Sequence, residues 1–257
     1  MRRTTIAIAG CELEVHEDGA GAPLLFLHAG DGFRAGDPYV AALSANRRLI
    51  CPSHPGFGKS TLPDWIDNVA DIAIIYLELM DKLSLTKVDL VGCSIGGWIC
   101  AEMMTMAPER FGKAALVGPI GVKTGPADKL DIPDIFTLPA ADVAKLGFHD
   151  PAKFAFDPSK LSDEELSIQL RNRETLALLA WEPYMHNEKL PRRLHRVASP
   201  TLFMRGASDG LLSAAYIERY AALVKGAAIA TIPEAGHLPH IEAPGAFAKA
   251  TLDFLAA

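Results

Sequence analysis

The chain has 257 residues, 49% of them hydrophobic, and a formal charge of −6 at pH 7. That length and composition support one sizeable core and do not require separately folding domains. The acidic balance excludes the positive footprint of a nucleic-acid surface, and no apolar run approaches membrane-spanning length.

The opening Met1-Arg2-Arg3 precedes too short an apolar segment for a secretory signal, so a cytoplasmic protein is expected. Residues 4–9 and 12–16 read as two short strands, expected to form an antiparallel edge, and Asp18-Gly19-Ala20-Gly21 turns the chain toward a buried strand at 24–27. His28-Ala29-Gly30-Asp31-Gly32 ends that strand. A fourth strand at 48–51 leads into Pro52-Ser53-His54-Pro55-Gly56-Phe57-Gly58, and residues 64–83 carry a helical apolar rhythm through Val69, Ile72, Ile75, Tyr76, Leu79 and Leu83. A strand at 88–91 then meets Gly92-Cys93-Ser94-Ile95-Gly96-Gly97, after which the chain is apolar and free of proline to Met106. One hydroxyl thus sits between small residues where a strand becomes a helix. Gly92 and Gly96 relieve contacts around a backbone expected to be strained at Ser94.

A strand follows at 114–117. Between 120 and 190 the rhythm breaks: prolines recur, and helix-compatible stretches fall at 140–147, 162–180 and 184–190. A helical cap at 121–190, inserted between core segments 1–120 and 191–257, accounts for both features. Strands return at 201–204 and 228–232, with helices at 213–224 and 243–256. Alternation of apolar strands and amphipathic helices implies a largely parallel sheet covered on both faces.

A serine needs a general base, and His237 in Pro233-Glu234-Ala235-Gly236-His237-Leu238-Pro239 is the leading candidate, since it follows the last strand. Asp209, in the loop after the preceding strand, is the candidate to orient it. Serine, acid and histidine occur in the chain order expected when loops converge above a parallel sheet.

These three loops together resemble the α/β-hydrolase superfamily over nearly the whole chain. The resemblance implies an α/β-hydrolase fold with a mostly parallel eight-stranded sheet, helices on both faces and a small helical cap. It also implies an oxyanion hole built from the backbone N–H groups of Gly30 and Ile95, with Ala29 standing where glycine is common. The branch most resembled comprises serine carboxylesterases and meta-cleavage-product hydrolases. In the latter the residue after the catalytic histidine is often tryptophan; here it is Leu238.

An acyl-enzyme mechanism on a small organic ester is the first expectation. Carbon–carbon hydrolysis of a vinylogous diketo acid is the alternative, with a lactonase or a non-catalytic small-molecule receptor behind it. Asp31, Phe136, Trp181, Tyr184 and His240 are candidates for touching substrate, although Asp31 equally suits a turn and His240 a hydrogen-bonding role. Leu138, Phe148, Phe154, Phe156 and Met185 add apolar surface to the cap, while Arg171, Arg173, Arg192, Arg193 and Arg196 are available to a carboxylate, with solvent-facing charge the default. His28 and His54 are read as structural, and Cys11, Cys51, Cys93 and Cys100 as buried free thiols. Gly58-Lys59-Ser60 lacks the first glycine of a phosphate loop, there is no G-x-G-x-x-G fingerprint, and the histidines lack H-E-x-x-H spacing. The expectation is therefore no cofactor, no metal, a small-molecule substrate as partner, and either a monomer or a homodimer formed through the cap or an edge helix.

Overall fold

The computed structural model describes residues 1–154 and 158–257, so Phe156 lies outside the described residues. Eight strands form one sheet: β1 (Arg2–Ile8), β2 (Cys11–Asp18), β3 (Ala22–Leu27), β4 (Arg47–Pro52), β5 (Val88–Cys93), β6 (Phe111–Val117), β7 (Thr201–Gly206) and β8 (Ala228–Ile232). Their spatial order is β1-β2-β4-β3-β5-β6-β7-β8. β2 pairs antiparallel with β1 and β4, and every pairing from β4 to β8 is parallel.

Alternate residues of the central strands feed two cores, as the two-residue side-chain period requires. Leu25, Leu27, Leu90, Leu116 and Phe203 face one side, where α2 (Val69–Lys82), α3 (Ile95–Met106) and α7 (Ala214–Ala221) bury Ile72, Ile99 and Tyr216 against them. Leu24, Phe26, Val91, Ala115 and Met204 face the other, covered by α1 (Pro38–Ser44) and α9 (Pro244–Ala256) through Leu43 and Phe247. Because β4 and β5 lie on opposite sides of β3, the strand order reverses at the carboxyl ends of β3 and β5. A parallel sheet opens a crevice at such a point.

Between β6 and β7 the chain leaves the sheet for α4 (Ala140–Gly147), α5 (Pro151–Phe154) and α6 (Asp163–Ala180). Ser162 and Glu165 close a reciprocal capping box at the start of α6. This helix is tied across the carboxyl edge of the sheet: Asn172 donates to the Asp31 carbonyl at 3.2 Å and accepts from the Gly58 N–H at 3.0 Å. Thr175 donates to the Gly56 carbonyl at 3.0 Å.

Three sequence expectations need correction. The helix expected over 64–83 begins at Val69, because Asn68 caps it by accepting from the Asp71 N–H while Ile66 closes a turn onto Pro63. No helix forms at 184–190, where Met185 has φ 56° and a short 3-10 turn spans Leu190–Arg192. The short helices α1 and α8 (Pro239–Glu242), both opened by proline, were not anticipated.

Candidate active site

Ser94 leaves β5 with φ 53° and ψ −115°, a conformation that a residue with a Cβ rarely adopts. Its surroundings hold it there. The Ser94 N–H donates to the Val117 carbonyl at 2.9 Å, and the Ser94 carbonyl accepts from Gly97 and Trp98 at 3.0 and 3.2 Å. A Cβ on Gly96 would collide with the Leu27 and His28 carbonyls, and one on Gly92 with the Gly96 carbonyl, so α3 can approach the β3 end only with glycine at both positions. Cys93 points to the opposite face, among Val91, Ala115 and Val117, and burial pushes its thiol well above the ordinary value. The hydroxyl, not the thiol, faces the crevice.

His237 is delivered by the loop after β8. Its N–H donates to the Gly147 carbonyl at 2.7 Å, while Glu242 of α8 accepts the Gly236 N–H at 2.5 Å. The ring lies with Nε2 2.9 Å from Ser94 Oγ and Nδ1 3.0 Å from Asp209 Oδ2. The other carboxylate oxygen of Asp209 accepts the N–H groups of Leu211 and Leu212, each at 2.9 Å. That network keeps Asp209 acceptor-only toward His237, which fixes the proton on Nδ1 and leaves Nε2 to receive the Ser94 proton. Burial pushes the imidazole toward neutrality, but the Asp209 charge and hydrogen bond outweigh it, and the net shift is above the ordinary histidine value. Such an arrangement can deprotonate a hydroxyl attacking a carbonyl and then hold the proton for the leaving group.

Ile95 is the first residue of α3, so its N–H has no acceptor within the helix and carries the positive end of the helix dipole. Gly30 lies in the loop after β3, and a Cβ there would strike Leu176 of α6. The loop is shaped by two histidines. His28 donates through Nδ1 to the Ala29 carbonyl at 2.6 Å and accepts the His54 N–H on Nε2 at 3.0 Å. His54 returns a bond from Nε2 to the His28 carbonyl at 2.9 Å, and its Nδ1 accepts from the Tyr76 hydroxyl at 2.5 Å. Burial drives both rings neutral, His28 down to about 4 and His54 well below its usual value.

The space beside Ser94 and His237 is aliphatic. Ile120, Ile132, Ile135 and Leu176 line it, with Met185, Leu211 and Leu212. The substrate-contact candidates fall elsewhere. Phe136, Trp181 and Tyr184 pack on one another, with ring centroids 5.5 and 6.2 Å apart, and the Tyr184 hydroxyl is occupied by the Pro133 carbonyl at 2.7 Å. His240 is buried against Tyr39 and Phe247, with burial pushing it down to about 3. None of these four lines the Ser94 space. Asp31 contacts Arg34 at 3.4 Å, burial raises its carboxyl, and its backbone carbonyl anchors Asn172 and Gln169 of α6.

Three of the arginines are engaged by other protein groups. Arg171 donates to the Gly58 and Ser60 carbonyls, Arg173 to the Ile135 carbonyl, and Arg193 pairs with the fully buried Glu102 at 2.8 Å. Among the described residues no cluster of three or more His, Cys, Asp or Glu could hold a metal ion, and no helix is long and apolar enough to cross a membrane. Leu211 and Leu212 were within reach of sequence reasoning, since they follow the Asp209 loop directly. Leu176, Met185 and Glu242 carry no motif, and only the folded arrangement brings them to the site.

A family model described as the alpha/beta hydrolase family matches residues 24–250. The chain is 27% identical to a 2-hydroxy-6-oxo-2,4-heptadienoate hydrolase of Pseudomonas putida, over 98% of this chain and 95% of the relative. It is 29% identical to a 2-hydroxy-6-oxo-6-phenylhexa-2,4-dienoate hydrolase of Burkholderia cepacia, over 97% and 93%. The fold matches a carboxylesterase of Bacillus subtilis with a TM-score of 0.76 at 24% identity, covering 99% of this chain and 91% of that one.

Proposed function

The chain belongs to the alpha/beta hydrolase family, and from that premise we propose that it is a serine hydrolase, with Ser94 as nucleophile, His237 as general base and acid, and Asp209 orienting the imidazole. The Ser94–His237–Asp209 chain of hydrogen bonds at 2.9 and 3.0 Å carries this reading. In it Ser94 Oγ adds to a carbonyl carbon as its proton passes to His237 Nε2. The N–H groups of Gly30 and Ile95 receive the oxyanion, each contributing roughly 3 kcal/mol to the transition state. His237 protonates the leaving group, and water then releases the acyl group. Segment 121–190 acts as the cap over this chemistry.

Two bond classes suit the apparatus. The relatives favour carbon–carbon hydrolysis over ester hydrolysis, because two that align over nearly the whole chain are named for 2-hydroxy-6-oxo-dienoate substrates, and this reading is placed first. Ester hydrolysis is the second reading. The observation in its favour is the apolar lining around Ser94 and His237, which among the described residues includes no arginine to meet a carboxylate. Turnover of a vinylogous diketo acid and of short aryl esters, measured with the unmodified protein and with Ser94→Ala, tests the proposal. Loss of all turnover in a folded Ser94→Ala protein is expected; unchanged turnover would sink the assignment.

A further inference from the structure

The space beside Ser94 measures about 30 Å³, room for a few water molecules and far short of the roughly 300–1,000 Å³ of a small-molecule site. Next to it, at the surface between residues 122–132 and 182–191, is a groove of about 490 Å³. Ile132 and Met185 belong to the walls of both spaces. A cavity too small for a substrate and a groove large enough to hold one thus share two wall residues.

Met185 is suited to stand between them. Its backbone is pinned, with the N–H donating to the Ala180 carbonyl at 2.8 Å and the carbonyl accepting the Gly121 N–H at 3.0 Å. Its φ of 56° is unusual for a residue with a side chain. The side chain itself is unbranched and has three rotatable bonds. The thioether can therefore change rotamer while the main chain stays in place.

The groove also has a direction relative to the chemistry. A leaving group must lie within reach of His237 to be protonated, and the His237 loop hangs from Gly147 and Glu242. Met185 is tied instead to Gly121, next to Ile120, whose N–H approaches the Ser94 carbonyl at 3.4 Å. Met185 and His237 both line the space beside Ser94, so an acyl substituent that leaves Ser94 past Met185 enters the groove. The groove's walls carry four carboxylates, Asp128, Asp131, Glu182 and Glu188, against the two ammonium groups of Lys123 and Lys129, with His186 and Tyr184 beside them. Lys123 is turned onto Asp131 at 3.5 Å and onto the Pro126 carbonyl at 2.7 Å. These surroundings oppose a second carboxylate.

We propose that this groove is the subsite for the acyl-side substituent of the substrate, gated by the Met185 side chain, and that it selects an extended, uncharged substituent. The inference rests on the serine-hydrolase reading and holds for either bond class. The test compares kcat/KM for p-nitrophenyl acetate, p-nitrophenyl octanoate and mono-p-nitrophenyl suberate in the unmodified protein, Ala127→Trp and Met185→Ala. Ala127 lines the groove but not the Ser94 space. Filling the groove with Ala127→Trp is expected to lower the octanoate-to-acetate ratio about tenfold, and Met185→Ala to raise it about threefold. The octanoate is expected to outrun the carboxylate-ended suberate about fivefold or more at low salt, with the gap narrowing as salt is added. Ratios unmoved in both variants overturn the subsite, and a suberate as good as the octanoate overturns its charge selection. Absence of both turnover and labelling of Ser94 by a fluorophosphonate overturns the serine reading instead, and the subsite with it.

Discussion

Ser94 carries a backbone cost that the proposed nucleophile role accounts for. With φ 53° and ψ −115° the residue lies where glycine alone is comfortable, and such positions store about 1–3 kcal/mol. Ser94→Gly and Ser94→Ala both remove the hydroxyl, so their difference isolates the backbone. Ser94→Gly is expected to be the more stable by about 1 kcal/mol in urea unfolding, with neither variant active. In the proposed mechanism His237 carries the pH dependence. Burial alone would lower its pKa, yet the Asp209 carboxylate raises it above the ordinary histidine value. Activity needs the neutral ring, so kcat/KM should climb with pH through a midpoint above about 6.5. Asp209→Asn removes the charge that raises the midpoint. Its kcat is expected to fall by about 10⁴ and its acid limb to move to lower pH, both read from a pH–rate profile.

At the scale of elements, the strands were legible because each central one is a run of apolar residues bounded by turn residues, as in Leu24-Leu25-Phe26-Leu27 and Ala114-Ala115-Leu116-Val117. The Ser94, Asp209 and His237 loops were legible for the same reason: each follows such a strand, and parallel strands deliver their loops to one edge. The lining of the crevice was not. Phe136, Trp181 and Tyr184 have the expected chemistry for a pocket, but Phe136 packs on the other two, Tyr184 lines the neighbouring groove, and the aliphatic Ile120, Ile132 and Leu176 line the space at Ser94 instead. Glu242 was hidden because its work is done on backbone. It accepts the N–H groups of Gly236 and His149 and so joins α8 to the His237 loop and the end of α4. Glu242→Ala should loosen that loop and lower kcat by about 10–100-fold in steady-state assays with a smaller change in KM.

For the whole molecule, acid stability follows from histidines that do no chemistry. His28, His54 and His240 are buried and neutral, with values pushed below the ordinary one by burial. Between about pH 6.5 and pH 4 the unfolded chain binds protons that the folded chain refuses, so stability is lost as pH falls through that window. His237 is shifted the opposite way and adds stability at low pH, but it is one ring against three. Tm is expected to drop between pH 7 and pH 4.5, by about 2–4 °C for each kcal/mol lost, and a Tm independent of pH would contradict the buried neutral rings. The same fold brings three loops and a helical segment to the strand-order reversal, where the Ser94 hydroxyl meets the His237 ring beneath an aliphatic cover, the arrangement on which the proposed serine chemistry rests. Treatment with a fluorophosphonate followed by peptide mass spectrometry tests that claim most directly. The account predicts a single adduct on Ser94, abolished by His237→Ala; an unlabelled Ser94 in the folded protein, or labelling indifferent to His237, would contradict it.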